Sequence, residues 1–178
     1  MPPPRPPAAP PDTLQSAGVQ AATPLAEHIA RAAEPLPGID DAAFARAFDR
    51  FADRRVVLLG EASHGTSEFY RMRSLITKRL IEEKGFTIVA AEADWPDPAR
   101  IDHYVRHRET PPSEWEAFAR FPTWTWRNKE VRGFADWLHD WNASRAPQTR
   151  AGFYGLDLYS LFNSAEAIID YLQDVDPD

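Results

Sequence analysis

The segment Val56-Val57-Leu58-Leu59-Gly60-Glu61-Ala62-Ser63-His64-Gly65-Thr66 decides how the chain is read. Four consecutive valines and leucines predict a buried parallel strand, because a strand covered on both faces reads as a continuous apolar run. Gly60 ends the run and Gly65 permits a second tight bend. Thr66 or Ser67 then caps a long helix, with Glu68 close to the positive end of its dipole. Glu61 and His64 fall on the loop at the carboxyl end of the expected strand, where open α/β sheets hold their ligands. A carboxylate and an imidazole three residues apart on such a loop can converge on one point. A core has little use for that pair, so it is read as a site.

The flanking sequence extends this pattern. From Ser67 to Lys84 the apolar residues Phe69, Met72, Leu75, Ile76, Leu80 and Ile81 recur at helical spacing, and Gly85 closes the helix. Residues Phe86 to Ala91 predict a second buried strand that releases Glu92, Ala93, Asp94 and Trp95 on the same sheet edge as Glu61 and His64. Helices are expected over Pro98 to Arg108, Trp115 to Phe121 and Glu130 to Ser144. A third strand is expected over Ala151 to Leu156, ending at Asp157, and a last helix from Ser160 or Asn163. Upstream, Pro24 to Glu34 and a stretch capped by Asp40 or Asp41 (Phe44, Ala47, Phe48, Phe51) read as short helices. The fold class is therefore α/β, a parallel sheet of βαβ units flanked by helices, with the chain stopping after the third strand.

Composition bounds what such a chain does. Residues 1–23 are rich in proline and alanine and read as a disordered tail, so the domain is assigned to residues 24–178. A net charge of −7, with no basic stripe, argues against nucleic-acid or anionic-membrane binding. There is no cysteine, which removes disulfides, thiolate metal sites and cysteine nucleophiles. No apolar run approaches the ~20 residues of a membrane span, and no signal-peptide core is present at the N-terminus, so a cytoplasmic location is expected.

His64 is the natural general base, its neutral imidazole working near neutral pH. Glu61 or Glu92 would orient the ring and stabilise imidazolium. Arg71 and Arg73, on the helix that follows, would hold a substrate carbonyl or neutralise the two glutamates. Asp94 and Asp157 share the strand-end location and rank lower, while Trp95, Trp124 and Trp126 either line a cleft or pack beside the sheet. Ser63 is set aside as a nucleophile because the G-x-S-x-G elbow is missing. Glu61, His64, Glu92 and Asp94 offer nitrogen and oxygen ligands, yet E-x-x-H on a loop fixes no ligand geometry. No metal and no cofactor are therefore expected.

The run Gly60-Glu61-Ala62-Ser63-His64-Gly65-Thr66-Ser67-Glu68-Phe69 resembles the erythromycin esterase family, as does Glu92 after the second strand. The blocks Glu92-Ala93-Asp94-Trp95-Pro96-Asp97, Phe121-Pro122-Thr123-Trp124 and Gly155-Leu156-Asp157-Leu158-Tyr159-Ser160 are similar to its esterase-like branch, and the likeness covers roughly Phe44 to Asp178. The resemblance implies an α/β core and metal-free hydrolysis of an ester or lactone, in some members the macrolactone of a macrolide antibiotic. It assigns His64 as base, Glu61 and Glu92 as its carboxylate neighbours, and Arg73, with Arg71 a less certain match, as the substrate-side cation. Asp94 and Trp95 would complete the substrate side. Family members are usually about twice as long and use a second histidine from their C-terminal half. His28, His103, His107 and His139 do not match it, so a truncated or split gene product is expected.

Three readings stay open at this point. The first is an esterase-like hydrolase with His64 activating water on a small-molecule ester or lactone. The second is an incomplete remnant or binding module of the same fold, and the third a metal-dependent hydrolase. An unfinished sheet edge also favours self-association.

Overall fold

The computed structural model describes residues 24–108, 118 and 123–176. They fall into two units that divide between Pro35 and Leu36. The first contains one described element, helix α1 (Pro24–Ala32), supported by the Arg31–Glu27 ion pair one turn apart. The expected tail over residues 1–23 lies outside the described residues, as does the expected helix over Trp115 to Phe121 apart from Phe118.

In the second unit a 3₁₀ helix (Ala45–Phe51) precedes α2 (Ser67–Lys84), β1 (Ile88–Asp94), α3 (Pro96–Val105), α4 (Lys129–Ala143), β2 (Gly152–Asp157) and α5 (Leu161–Val175). The helix bounds expected for α2 are met at both ends. Gly85 terminates it at φ +76°, a left-handed cap that glycine adopts without a Cβ penalty. Among the described residues the sheet has two strands, β1 and β2, paired in parallel from Ile88↔Gly152 to Ala91↔Gly155. Helices cover it, with α3 against both strands and α4 against α3 and α2. The α/β class holds.

The expected strand over Val56 to Leu59 does not form. Those residues carry no regular structure and do not pair with β1. The reason lies in how they are buried. Val57 and Leu59 pack on the small core of Phe44, Ile76 and Leu80, whereas Val56 is exposed and Leu58 is 88% exposed. The run is one-sided, and an apolar run that covers only one side reports burial rather than strand pairing. The βαβ unit is instead made by β1, the two helices α3 and α4, and β2.

The main core gathers Ile81 of α2, Ala91 and Ala93 of β1, Ile101 and Val105 of α3, Phe134, Ala135 and Leu138 of α4, and Phe153 of β2. Two buried polar residues order it. Asn142 is 0% exposed; its amide donates to Val105 O and Ala151 O, both at 2.8 Å, and accepts from Ala151 N at 2.9 Å. Asp102 accepts from Phe153 N at 2.9 Å and pairs with Arg106. At the far end of the sheet β1 spends three steps, Ala91 to Asp94, against two on β2, Gly155 to Asp157. This extra residue presses the β1 backbone onto Gly155, where a Cβ would stand 2.5 Å from Ala93 O. By contrast α5 leaves Phe162, Ile168, Ile169 and Leu172 exposed.

Two stability effects follow from this core. Asn142→Ala strands one buried amide and two buried carbonyls and is expected to cost about 3 kcal/mol or more in denaturant unfolding. Gly155→Ala should destabilise more than Gly152→Ala. The first added methyl meets backbone, whereas the second meets the end of the flexible Arg106 side chain. Equal unfolding midpoints for the two glycine variants would contradict the bulge geometry.

Candidate functional site

Residues 61–66 leave the small core through a turn in which Gly65 has φ +81°. The ring of Trp124 lies directly over Gly65, so a Cβ there would come within 2.8 Å of Trp124 Cζ3. Glycine is needed at this position for both its backbone angle and its lack of a side chain. Thr66 occupies the N-cap position of α2, and its hydroxyl lies 3.1 Å from that of Ser63. Ser63 is thus engaged within the turn.

The turn brings the Glu61 carboxylate against His64 Nδ1 in a very short contact. A carboxylate has no hydrogen to give, so Nδ1 is the donor, and a neutral ring then carries its lone pair on Nε2. The second Glu61 oxygen lies 2.6 Å from Arg73 Nη2. That contact sits off the hydrogen-bonding axis, so charge rather than direction holds it. Glu61 and Arg73 are largely withdrawn from solvent, with 10% and 21% of their side chains exposed, whereas His64 is 54% exposed. A charge pair shielded in this way is screened less than a surface pair. The more open member of the triad is the imidazole.

Arg73 is flanked by aromatic rings, its guanidinium carbon 4.8 Å from the Tyr70 ring and 5.7 Å from that of Trp126. Trp126 donates from its indole nitrogen to Glu92 O at 3.0 Å. Glu92 is therefore tied to the site through its backbone carbonyl, while its side chain is exposed. Arg71 pairs with Asp40 instead of Glu61. Residues two apart on a helix point to different faces, so Arg71 and Arg73 do not share one site. Arg71 borders an open depression of about 510 Å³, also lined by Asp40, Lys78, Lys129 and Glu130. Neither Glu61 nor His64 belongs to that lining.

Asp94 and Trp95 serve the junction of β1 with α3. Asp94 accepts from Ser160 N at 2.8 Å and Trp95 N donates to Asp157 O at 3.0 Å. Asp157 itself accepts from the Leu158 amide. Among the described residues no group of three His, Asp or Glu side chains converges as a metal-ligand set. No helix among them is long and apolar enough to cross a membrane.

Sequence reasoning did not single out Tyr70 or Glu130. Tyr70 lies three residues before Arg73 on α2, the spacing at which helical side chains meet, and that was its available signal. Burial pushes the Tyr70 phenol above its ordinary value, against the pull of the Gly65 amide. Ser67 donates to Glu130 at 2.6 Å, joining the start of α2 to the start of α4. The Ser67 hydroxyl, with help from Lys129 and Arg71, holds the Glu130 carboxyl below its usual value, more than offsetting its desolvation.

The comparisons with known proteins bear on this arrangement. The erythromycin esterase family model matches residues 81–178, more than half of the chain, beginning after Glu61, His64 and Arg73. The chain belongs to the erythromycin esterase family. It is 29% identical over 106 residues to erythromycin esterase type II of Escherichia coli, covering 60% of this chain and 24% of that protein. It is 28% identical over 126 residues to YbfO of Bacillus subtilis (strain 168), whose name places it only provisionally among hydrolases, covering 70% and 27%. Among solved structures, a succinoglycan biosynthesis protein superposes with a TM-score of 0.65 at 28% identity, over 83% of this chain and 37% of that one. A Bacillus cereus protein superposes at 0.57 and 24% identity, over 85% and 37%, and speaks for the fold alone. The chain thus spans about a quarter of the curated relatives it matches.

The Ser67–Glu130 bond gives a pH signature. A carboxyl held low in the folded state contributes stability that is present above its unfolded pKa of ~4.3 and is lost as pH falls through the lower folded value. Ser67→Ala should cost about 1 kcal/mol at pH 7. The gap between variant and parent should narrow as acid protonates Glu130. A gap that is unchanged across that range would show that the hydroxyl does not act through the charge.

Proposed function

We propose that the chain carries the water-activating half of a carboxylic ester or lactone hydrolase, with His64 as its general base. The observation that carries this reading is the one-sided engagement of His64, with Nδ1 on Glu61 and the rest of a half-exposed ring available. In the proposed reaction Nε2 takes a proton from water while the water oxygen attacks the acyl carbon. The Nδ1–H bond to Glu61 stabilises the imidazolium that results. The tetrahedral intermediate then expels the alkoxide, which recovers the proton from His64, leaving acid and alcohol. No covalent enzyme intermediate is needed, consistent with a Ser63 hydroxyl held by Thr66.

Arg73 balances the charge of Glu61 and supplies a cation close to where the oxyanion develops. Glu92, tied to the same place through its carbonyl, is the second carboxylate of the proposed site, whereas Arg71, paired with Asp40, and Asp94 and Trp95, engaged at the junction of β1 with α3, stand apart from it. Family membership supports hydrolysis, and the name of the Escherichia coli relative supports an ester as its target. A binding role without turnover is the second reading.

A panel of p-nitrophenyl esters and erythromycin tests the proposal. His64→Asn keeps a side chain of similar polarity and should lower turnover by about two to four orders of magnitude. Glu61→Gln should lower it less, because the amide still contacts the ring but no longer stabilises its cation. Turnover unaltered in His64→Asn would remove the base from the mechanism. Saturable binding of erythromycin without hydrolysis would favour the second reading.

A further inference from the structure

We propose that Tyr70 and Trp126 are positioning residues of the His64 site. They hold Arg73 so that Glu61 is divided in one fixed way between guanidinium and imidazole, an inference that rests on the hydrolytic reading of this site. An arginine side chain is long and flexible, and a single off-axis contact with a carboxylate does not fix it. Here the guanidinium also meets two ring faces, at 4.8 and 5.7 Å, within the range where a cation is drawn to an aromatic quadrupole.

The rings are themselves anchored. The Tyr70 hydroxyl donates to Thr125 O and accepts from Gly65 N at 3.4 Å. Trp126 donates to Glu92 O at 3.0 Å and meets Tyr70 edge-on, 6.2 Å between centroids at 77°. Three pieces of chain therefore meet at Arg73, the His64 turn, α2 and the segment carrying Trp126, and Trp126 links them to β1 at Glu92. The Gly65 amide held by Tyr70 directly follows His64, so the same hydroxyl also sets the backbone from which the imidazole projects. The raised Tyr70 phenol keeps its proton at neutral pH and remains a donor. Neither ring is placed where it must touch substrate; both act through Arg73 and Gly65.

The test uses the 178-residue chain and two readouts. In the parent, ring currents from Tyr70 and Trp126 should move the Arg73 δ-methylene proton signals upfield of those of a free arginine. Trp126→Leu should return them part of the way, since the nearer Tyr70 ring is retained, and Trp126→Phe should keep most of the shift. On p-nitrophenyl butyrate, Trp126→Leu should lower kcat by about tenfold or more with KM within about twofold, and Trp126→Phe should restore most of it. A role confined to stability would lower the unfolding midpoint and leave kcat and KM where they were. That result in folded Trp126→Leu overturns the proposal. Should Trp126→Leu fail to fold, Tyr70→Phe removes only the hydroxyl. The Gly65 amide signal should then move while the Arg73 signals stay upfield, and an unmoved Gly65 amide overturns the proposal. If the parent hydrolyses no ester, the hydrolytic reading falls, and the Arg73 and Gly65 signals alone decide the positioning role.

Discussion

A fully buried side-chain amide, that of Asn142, is the constraint on which the rest of this unit depends. It satisfies the last carbonyl of α3 and both backbone groups of Ala151 from the end of α4. Those three groups lie where helix and strand run out of partners of their own, and leaving them unpaired in the core would cost several kcal/mol in total. With Asn142 in place, α3, α4 and β2 share one junction. Asp102 repeats the device one turn away by taking the Phe153 amide. The parallel pair of strands is thereby locked at its beginning, which sets the register that carries Glu92 and Asp157 to the opposite end.

That opposite end explains how the site is assembled. The bulge at Ala91–Asp94 and the bare Gly155 backbone bring Trp95 and Asp157 into hydrogen-bond contact. Trp126, from the segment before α4, reaches the same edge through Glu92 O and turns its ring toward Arg73. Helix α2 supplies Arg73 and Tyr70 from one face and Arg71 from another. The charge chemistry is thus shared among three segments, yet each is fixed by a contact of its own: Asn128 caps α4, Gly85 ends α2 and Gly65 admits Trp124.

Much of this was legible in the sequence, for identifiable reasons. Helical spacing and a terminal glycine delimited α2, and the acid-imidazole pair at Glu61 and His64 was visible from its spacing alone. The run Val56 to Leu59 misled because apolar residues report burial, and burial on one side of a segment does not require a strand partner. Residue chemistry alone left Arg71 and Arg73 level, the family resemblance favoured Arg73, and the pairing of Arg71 with Asp40 and of Arg73 with Glu61 separates them. Glu92 was expected on the loop beyond the strand but lies within β1, and its link to Trp126 runs through its carbonyl, which no side-chain reading reveals. Tyr70 carries no chemistry of its own in the sequence. Its importance arises from a hydroxyl that meets Gly65 and Thr125, residues 5 and 55 positions away.

The central claim is that Glu61 fixes His64 with Nδ1 protonated, leaving Nε2 as the base. Long-range proton–nitrogen correlation on histidine-labelled protein, above the pH at which the ring is charged, reads the tautomer directly. A single His64 species with hydrogen on Nδ1 is expected, with a shift toward mixed tautomers in Glu61→Gln. A ring protonated on Nε2, or one averaging both forms in the parent, would contradict it.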